Sequence, residues 1–321
     1  MSSTIEVVVT AISEEAPRIK AFELAKAGDG ELPAFDAGSH IVVELDGIGQ
    51  RRAYSLANPP GETHRYLIAV LREVEGAGSC YMHDEVTVGT RLRISPPENS
   101  FALDPSARST LLIAGGIGIT PMMAMVHQLE AQGARYHLYY CARSPDHAAF
   151  LNDLSGERSC GEVTFVYDCG DPSRGLDLAP LLRNPAPGAH LYVCGPASLI
   201  TAVREGSSHW PKGSVHYELF ASLKEPAETG DADTAFEIEI EGTGEVLTIP
   251  ENQSILEVLL EHGYNVPHLC QEGYCGSCLT PVLDGIPDHR DEVLDEDERN
   301  ANDVMTICCS RARTKRLKLD I

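Results

Sequence analysis

The sequence contains no long apolar run and little positive charge. No stretch approaches the roughly 20 consecutive apolar residues that a membrane-spanning helix requires. Against 48 Asp and Glu residues there are only 25 Lys and Arg, which gives a formal net charge of -23 at pH 7. Nucleic acid and anionic lipid would both repel such a chain. These two shortages argue against a membrane protein and against a nucleic-acid-binding protein.

Three further features are missing. The first residues, Met1-Ser-Ser-Thr-Ile-Glu6, have neither the basic nor the apolar region of a secretory leader, so we expect a cytoplasmic protein. A G-x-S-x-G motif is absent, which argues against a hydrolase built on Ser55 or Cys194. Six of the ten cysteines follow no disulfide spacing, and we expect them to be reduced: Cys80, Cys141, Cys160, Cys169, Cys194 and Cys309.

The other four cysteines have the spacing of a plant-type 2Fe-2S site. Cys270, Cys275 and Cys278 lie on one short segment, and Cys308 follows after 29 intervening residues. Structural zinc usually takes two short pairs of ligands, so a zinc site is the weaker interpretation. Cys309 is adjacent to Cys308 and could also supply the fourth thiolate. We choose Cys308 because its spacing is similar to that of plant-type ferredoxins.

Short β-prone runs separated by turns fill the first part of the chain. They predict an antiparallel β-barrel over residues 1–103, with a short helix near Ser79 to Glu85. The six predicted strands are Ile5–Ala11, Ile19–Leu24, His40–Leu45, Arg52–Leu56, Tyr66–Leu71 and Arg91–Ser95.

Strands alternate with helices over residues 104–225, which predicts a parallel sheet with ligands at the carboxyl ends of its strands. The apolar run Thr110–Ala114 is followed by a glycine-rich turn, with Thr120 as the expected helix N-cap and Pro121 at the first helical position. That helix should end near Glu130. Further strands are expected at Tyr136–Cys141, Val163–Tyr167 and Leu191–Val193, and a further helix from Ala197 to about Glu205.

The segment from Ala221 to Asp233 is typical of a linker, which we place at residues 226–232. Beyond it, residues 233–321 begin with two predicted strands, Ala235–Ile240 and Glu245–Ile249. A helix from Ser254 to His262, capped by Gly263, should follow. This order is typical of a β-grasp ferredoxin, and the cysteine segment comes next.

Several motifs resemble those of the ferredoxin reductase superfamily. Arg52-Ala-Tyr-Ser55 resembles its flavin-binding R-x-Y-S, and the nearby segment Gly76-Ala-Gly78-Ser79, at a predicted helix start, would suit a phosphate. The segment Gly115-Gly-Ile-Gly-Ile-Thr-Pro121 resembles the nicotinamide domain's G-G-x-G-x-T-P. Cys194-Gly-Pro196 resembles its C-G-P. The predicted last strand of this region, His216–Phe220, resembles the segment whose terminal aromatic residue covers the flavin.

The order of barrel, nicotinamide domain and C-terminal ferredoxin resembles the phthalate dioxygenase reductase family. The resemblance implies FMN rather than FAD, NADH as electron donor and a Rieske-type oxygenase as partner. It implies catalytic positions at Cys194 and Phe220. The flavin site would comprise Arg52, Ala53, Tyr54, Ser55, Ala69, Val70, Gly76, Gly78, Ser79, Thr120 and Phe220. The NAD site would comprise Gly115, Gly116, Gly118, Thr120, Pro121, Arg143, Ser144, Cys194, Gly195 and Pro196.

These motifs together predict a reductase that moves a hydride from NADH to FMN and passes single electrons through the cluster to an oxygenase. Two alternatives are a reductase for a cytochrome P450 or other one-electron acceptor, and a redox sensor without turnover. NADH is preferred because no basic cluster near Arg143 would hold a 2′-phosphate. The acidic run Asp288–Glu298 is either a solvated face or a docking surface for the acceptor. We expect a monomer.

Overall fold

The computed structural model describes residues 4–74, 76–220 and 234–321. The chain forms two compact units, Met1–Phe220 and Ala221–Ile321. The predicted linker lies outside the described residues, and the boundary at residue 103 remains a prediction. No described helix has the length and apolar character needed to cross a bilayer.

The first seven strands form one antiparallel sheet, in the order β4-β3-β6-β1-β2-β5 with β7 paired to β3. All six predicted strands are present, and β1 continues well beyond its predicted end. Alternate side chains such as Val7 and Val9 are buried, as expected for strands with one face on a core. The strands are β1 (Ile5–Ala16), β2 (Ile19–Lys26), β3 (Ser39–Leu45), β4 (Gln50–Ser55), β5 (Tyr66–Leu71), β6 (Arg91–Ile94) and β7 (Glu98–Asn99).

Strands β4 and β5 are the two ends of this sheet, and the chain just after β4 joins them. The backbone N–H of Ala57 donates to the carbonyl of Leu67 at 2.8 Å. The N–H of Leu67 donates to Oδ1 of Asn58 at 2.9 Å, and the Asn58 side chain is buried. The sheet therefore closes into the predicted barrel. Helix α1 (Ala77–Asp84) packs against both end strands.

Five parallel strands form the second sheet, in the order β10-β9-β8-β11-β12. These strands are β8 (Ser109–Gly115), β9 (Tyr136–Ala142), β10 (Gly161–Tyr167), β11 (Ala189–Cys194) and β12 (Val215–Glu218). The helices are α2 (Ile119–Gln132), α3 (Leu151–Leu154), α4 (Leu178–Leu182) and α5 (Ala197–Gly206). Parallel sheets are usually buried on both faces, and β11 is buried along its whole length.

The predicted start of α2 was wrong. Thr120 is not the N-cap, because a short 3-10 turn, Gly116–Gly118, comes first and Gly118 takes the cap position. Thr120 and Pro121 lie inside the first helical turn, and the Thr120 hydroxyl donates to the carbonyl of Ile117 at 3.1 Å. Gly118 takes the N-cap position without a side-chain hydrogen bond, and the helix continues directly from the 3-10 turn.

The second unit has a five-stranded mixed sheet in the order β14-β13-β19-β15-β17, in which β13 and β19 are parallel. Ser254 and Glu257 form the capping box that begins α6, and Gly263 follows its end with φ of 80°. The elements are β13 (Phe236–Ile240), β14 (Val246–Ile249), α6 (Ile255–Glu261), β15 (Leu279–Asp284), β16 (Pro287–Asp288), α7 (Glu296–Ala301), β17 (Val304–Thr306), β18 (Arg311–Ala312) and β19 (Arg316–Leu319). This arrangement is the predicted β-grasp fold.

Candidate functional site

The glycine-rich turn and the Cys194 segment meet at the carboxyl edge of the parallel sheet. A Cβ at Gly118 would lie 2.2 Å from the carbonyl oxygen of Cys194, so only glycine fits there. Gly115 similarly lies against Pro196 and Gly195. Two motifs separated by about 75 residues therefore form one surface of bare backbone, which suits a pyrophosphate.

Arg143 and Ser144 follow β9 at the same edge of the sheet. The carbonyl of Arg143 accepts from the N–H of Cys169, at 2.9 Å, which ties together the ends of β9 and β10. The Ser144 hydroxyl lies 2.8 Å from Nδ1 of His147. The Arg143 side chain is exposed. The structure thus places both residues next to the predicted nucleotide edge, while their contact with a nucleotide remains a prediction.

Cys194 is fully buried at the end of β11. Burial raises the pKa of its thiol well above the ordinary value, and the charge of the nearby Glu218 carboxylate acts in the same direction. The thiol is therefore neutral at physiological pH. It therefore cannot serve as a thiolate nucleophile there.

Glu218 is a site residue that the sequence reasoning missed. The Ser55 hydroxyl of the barrel donates to its Oε2 at 3.3 Å, and burial raises the pKa of the Glu218 carboxyl to about 8. Ser55, Cys194 and Glu218 consequently share one small region between the barrel and the parallel sheet. The sequence signal that could have indicated Glu218 is its position as a lone carboxylate at the end of strand β12.

The predicted flavin residues gather where the barrel sheet ends. Arg52, Ala53, Tyr54 and Ser55 lie on β4, while Ala69 and Val70 lie on β5 and are buried. Burial raises the pKa of the Tyr54 phenol, so its hydroxyl stays neutral. The structure thus brings these residues together on the two end strands of the barrel, while their contact with a flavin remains a prediction.

The start of α1 lies beside Arg52. Gly78 packs directly against the Arg52 side chain, and Gly76 is the N-cap without a capping side chain. The Ser79 hydroxyl donates to the carbonyl of Gly76 at 3.0 Å and accepts from the N–H of Glu73. A guanidinium next to a helix N-terminus is a favourable setting for a phosphate.

Two predicted contacts with the flavin lie elsewhere in the first unit. Thr120 is buried in α2, and Phe220 follows the end of β12 with 37% of its surface exposed. The structure does not test whether either residue contacts a flavin. Both remain predictions of the family resemblance.

The four predicted cluster thiols interact with one another in the second unit. The pKa of the Cys270 thiol is lowered, chiefly by hydrogen bonds with Cys275 and Cys308. The thiol of Cys278 also bonds with that of Cys308. Among the described residues, no group of three His, Cys, Asp or Glu side chains is arranged to hold a single metal ion.

Backbone N–H groups of the cysteine segment point at these sulfurs. The N–H of Cys270 lies 3.5 Å from Sγ of Cys275, and that of Glu272 lies 3.4 Å from Sγ of Cys270. Such donors stabilise thiolate ligands of iron-sulfur clusters. The donor set and its surroundings therefore fit a 2Fe-2S cluster.

Cys309 lies behind this segment and bonds differently. Its Sγ is 3.3 Å from Oγ1 of Thr306, and a Cβ at Gly273 would lie only 2.4 Å from the same sulfur. The pKa of the Cys309 thiol is lowered, mainly by its hydrogen bond with Cys308, while the charge of Asp291 acts in the opposite direction. Of these two adjacent cysteines, Cys308 is the one that bonds with the thiols of both Cys270 and Cys278, which favours it as the fourth ligand.

Comparisons with known proteins agree with this geometry. Residues 238–313 match the family model described as a 2Fe-2S iron-sulfur cluster binding domain. The chain is 44% identical to the vanillate O-demethylase oxidoreductase of Pseudomonas putida, over 99% of this chain and 100% of that protein.

Two solved structures resemble it along nearly its whole length. Phthalate dioxygenase reductase, described as a modular structure for electron transfer from pyridine nucleotides to 2Fe-2S, is 38% identical with a TM-score of 0.77, covering 99% of this chain and 98% of that chain. An intact type IV self-sufficient cytochrome P450 monooxygenase is 36% identical with a TM-score of 0.83, covering 99% of this chain and 41% of that chain.

Proposed function

Because the chain belongs to the phthalate dioxygenase reductase family, we propose that it accepts a hydride from NADH and delivers single electrons to a separate Rieske-type oxygenase. It is an oxidoreductase with a 2Fe-2S domain. The observation that carries the proposal is the meeting of Ser55, Cys194 and Glu218 beside the glycine-rich turn, in a chain that also has four interacting thiols.

We assign the flavin as FMN. Its phosphate would be held by the Arg52 guanidinium and by the N–H groups at the start of α1, which adjoin each other. The barrel residues Arg52 to Ser55 and the facing strand β5 would hold the ring system. When bound, a flavin supplies the ability to accept a hydride and to release electrons one at a time.

The residues around Cys194 would position the nicotinamide. The glycine-rich turn offers backbone to the pyrophosphate, and the buried neutral thiol offers a small apolar contact to the ring. With its raised pKa, Glu218 is largely protonated at neutral pH and places no negative charge there. We propose that these residues act by orientation and by the exclusion of water.

NADH is the proposed donor because the nucleotide edge has few positive charges. Arg143 is followed by Ser144, and the neighbouring turn carries Asp168 and Asp171. Carboxylates near the adenosine ribose would repel the 2′-phosphate of NADPH.

The oxygenase would dock on the second unit near the cysteine segment. Helix α7 presents three exposed acidic side chains, Glu296, Asp297 and Glu298, and Leu279 is 39% exposed next to the ligand Cys278. An apolar centre with an acidic rim fits a partner that has a basic rim. We propose a cytoplasmic, monomeric protein.

An absorbance spectrum of the purified full chain, with the released flavin identified, would test the cofactors. Flavin bands with a broad red-brown shoulder and release of FMN are expected, whereas release of FAD would refute the FMN assignment. NADH should sustain reduction of cytochrome c, and NADPH should do so far less well. A redox sensor without turnover would show no sustained NADH oxidation.

A second candidate function is electron delivery to a cytochrome P450. It is favoured by the match to the type IV self-sufficient P450 monooxygenase. Purified Rieske-type oxygenases and P450s, offered separately to the NADH-reduced protein, would distinguish the two candidates by which iron centre becomes reduced.

A further inference from the structure

Asp291 is a fully buried carboxylate inside the acidic run Asp288–Glu298, on the segment between β16 and α7. Its Oδ2 accepts from the N–H of Val293 at 3.0 Å and of Leu294 at 2.8 Å. These two bonds turn the chain towards Asp295, which caps α7. A carboxylate without water around it is kept in a fold only where other groups compensate its charge.

Arg299 and His289 flank this carboxylate. The guanidinium of Arg299 donates to the carbonyl of Asp291 at 2.7 Å and lies 3.8 Å from its Oδ2. Nδ1 of His289, whose side chain is 7% exposed, lies 3.9 Å from Oδ1. The negative charge of Asp291 is therefore opposed on one side by a permanent positive charge.

The same segment lies directly behind the proposed cluster loop, the residues from Cys270 to Cys278. The N–H of Glu292 donates to the carbonyl of Gly273 at 2.9 Å. A Cβ at Gly273, whose φ is 81°, would come within 3.3 Å of Cα of Asp291. The backbone of Asp291 thus supports the turn that lies between the ligands Cys270 and Cys275.

We propose that Asp291 is a positioning residue for the iron-sulfur cluster: it holds the cluster loop through Glu292 and Gly273, and its buried charge lowers the reduction potential of the cluster. A nearby negative charge disfavours addition of an electron, so a more negative potential follows. The proposal rests on the cluster-binding domain and does not depend on the identity of flavin, donor or acceptor.

Two variants with opposite expected effects test it in the full chain. In D291N a neutral amide faces Arg299, so the potential should become more positive. In R299Q the carboxylate loses the positive charge of Arg299 beside it, so the potential should become more negative. The potential is measured by titration with dithionite and mediators, followed by electron paramagnetic resonance, and needs no NADH. D295N, which alters an exposed acid of the same segment, should leave the potential unchanged.

Retention of the cluster tests the positioning part. D291N should lose its cluster absorbance in air about tenfold faster than the unaltered chain, and D295N should not. Potentials that shift in the same direction in D291N and R299Q, or that stay unchanged in both, would overturn the electrostatic part. If D291N retains no cluster, R299Q alone decides the sign, and an unchanged or higher potential in R299Q refutes it. Because NADH is not used, failure of the proposed function would appear separately, as a normal cluster with no NADH oxidation.

Discussion

The two units differ in the surroundings that they give to the thiols of their cysteines. In the first unit, Cys194 ends a regular strand, is fully buried and has a raised thiol pKa. In the second, the cysteine segment is irregular, and backbone N–H groups approach Sγ of Cys270, whose pKa is lowered. The strand keeps a thiol neutral and fixed, whereas the loop directs backbone N–H donors at its sulfurs, as the ligands of an iron-sulfur cluster require. The same side chain is thus buried and neutral in one unit and lies among other sulfurs and backbone donors in the other.

Removal of one proposed cluster ligand should have the largest effect, because it should abolish electron transfer through the second unit and leave the activity of the first unit intact. In C275S the cluster should be lost, so cytochrome c reduction should fall by roughly 100-fold or more, whereas ferricyanide reduction should persist. Initial rates with each acceptor measure this effect. C309S is the matched control and should keep its cluster. Cluster loss in C309S together with retention in C308S would reverse the assignment of the fourth ligand.

A methyl group in the glycine-rich turn should disturb only the first unit. In G118A the new Cβ would collide with the carbonyl of Cys194, so the first unit should lose about 1–3 kcal/mol of stability. The KM for NADH should also rise, because the turn must shift. Thermal unfolding and steady-state kinetics measure the two effects. In the control G156A, a Cβ would meet no atom within 4 Å, so little change is expected.

Replacing the buried thiol of Cys194 should affect the proposed contact with the nicotinamide and leave iron binding by the other cysteines unchanged. C194A should reduce kcat for ferricyanide reduction roughly tenfold through poorer nicotinamide positioning, and the cluster spectrum should stay intact. C141A changes the half-buried cysteine near the end of β9 and should leave kcat unaltered. A normal kcat in C194A would remove Cys194 from the proposed site.

The smallest expected effect concerns Glu218 and pH. Its folded-state pKa of about 8 lies above the ordinary value of 4.5, so the folded chain holds a proton that the unfolded chain releases between these values. Stability should therefore fall as pH rises from about 4.5 to 8. E218Q should remove this slope and be more stable than the unaltered chain at pH 8.

Thermal unfolding from pH 5 to pH 8 measures that slope. E205Q, which changes an exposed glutamate of α5, should keep the slope of the unaltered chain. A slope that E218Q leaves unchanged would mean that Glu218 is ionised in the folded protein.

Local patterns were sufficient to predict the strands and the 2Fe-2S domain. Short β-prone runs separated by turns mark β1 to β6, and the spacing of Cys270, Cys275 and Cys278 depends on one short segment. The start of α2 was misplaced because Thr120 and Pro121 look like cap residues, whereas the backbone turn Gly116–Gly118 already caps the helix.

Contacts between distant residues could not be predicted in this way. Glu218 and Ser55 are 163 positions apart, and nothing in either neighbourhood indicates their hydrogen bond. The acidic run predicts either a solvated face or a docking surface, yet Asp291 within it is fully buried. The N–H groups of Val293 and Leu294 donate to its carboxylate, and the guanidinium of Arg299 lies 3.8 Å from it. Both the Ser55–Glu218 hydrogen bond and the burial of Asp291 result from tertiary packing, which local sequence patterns do not report.

The position of β19 in the second unit has a consequence for synthesis. This last described strand lies in the middle of its sheet, between β13 and β15. The sheet cannot be completed until β19 has left the ribosome, long after the three loop cysteines have emerged. Until then, the thiols of these cysteines are exposed in the nascent chain, where oxidants or other metal ions can react with them. Assembly of the iron-sulfur cluster must therefore follow translation of this domain.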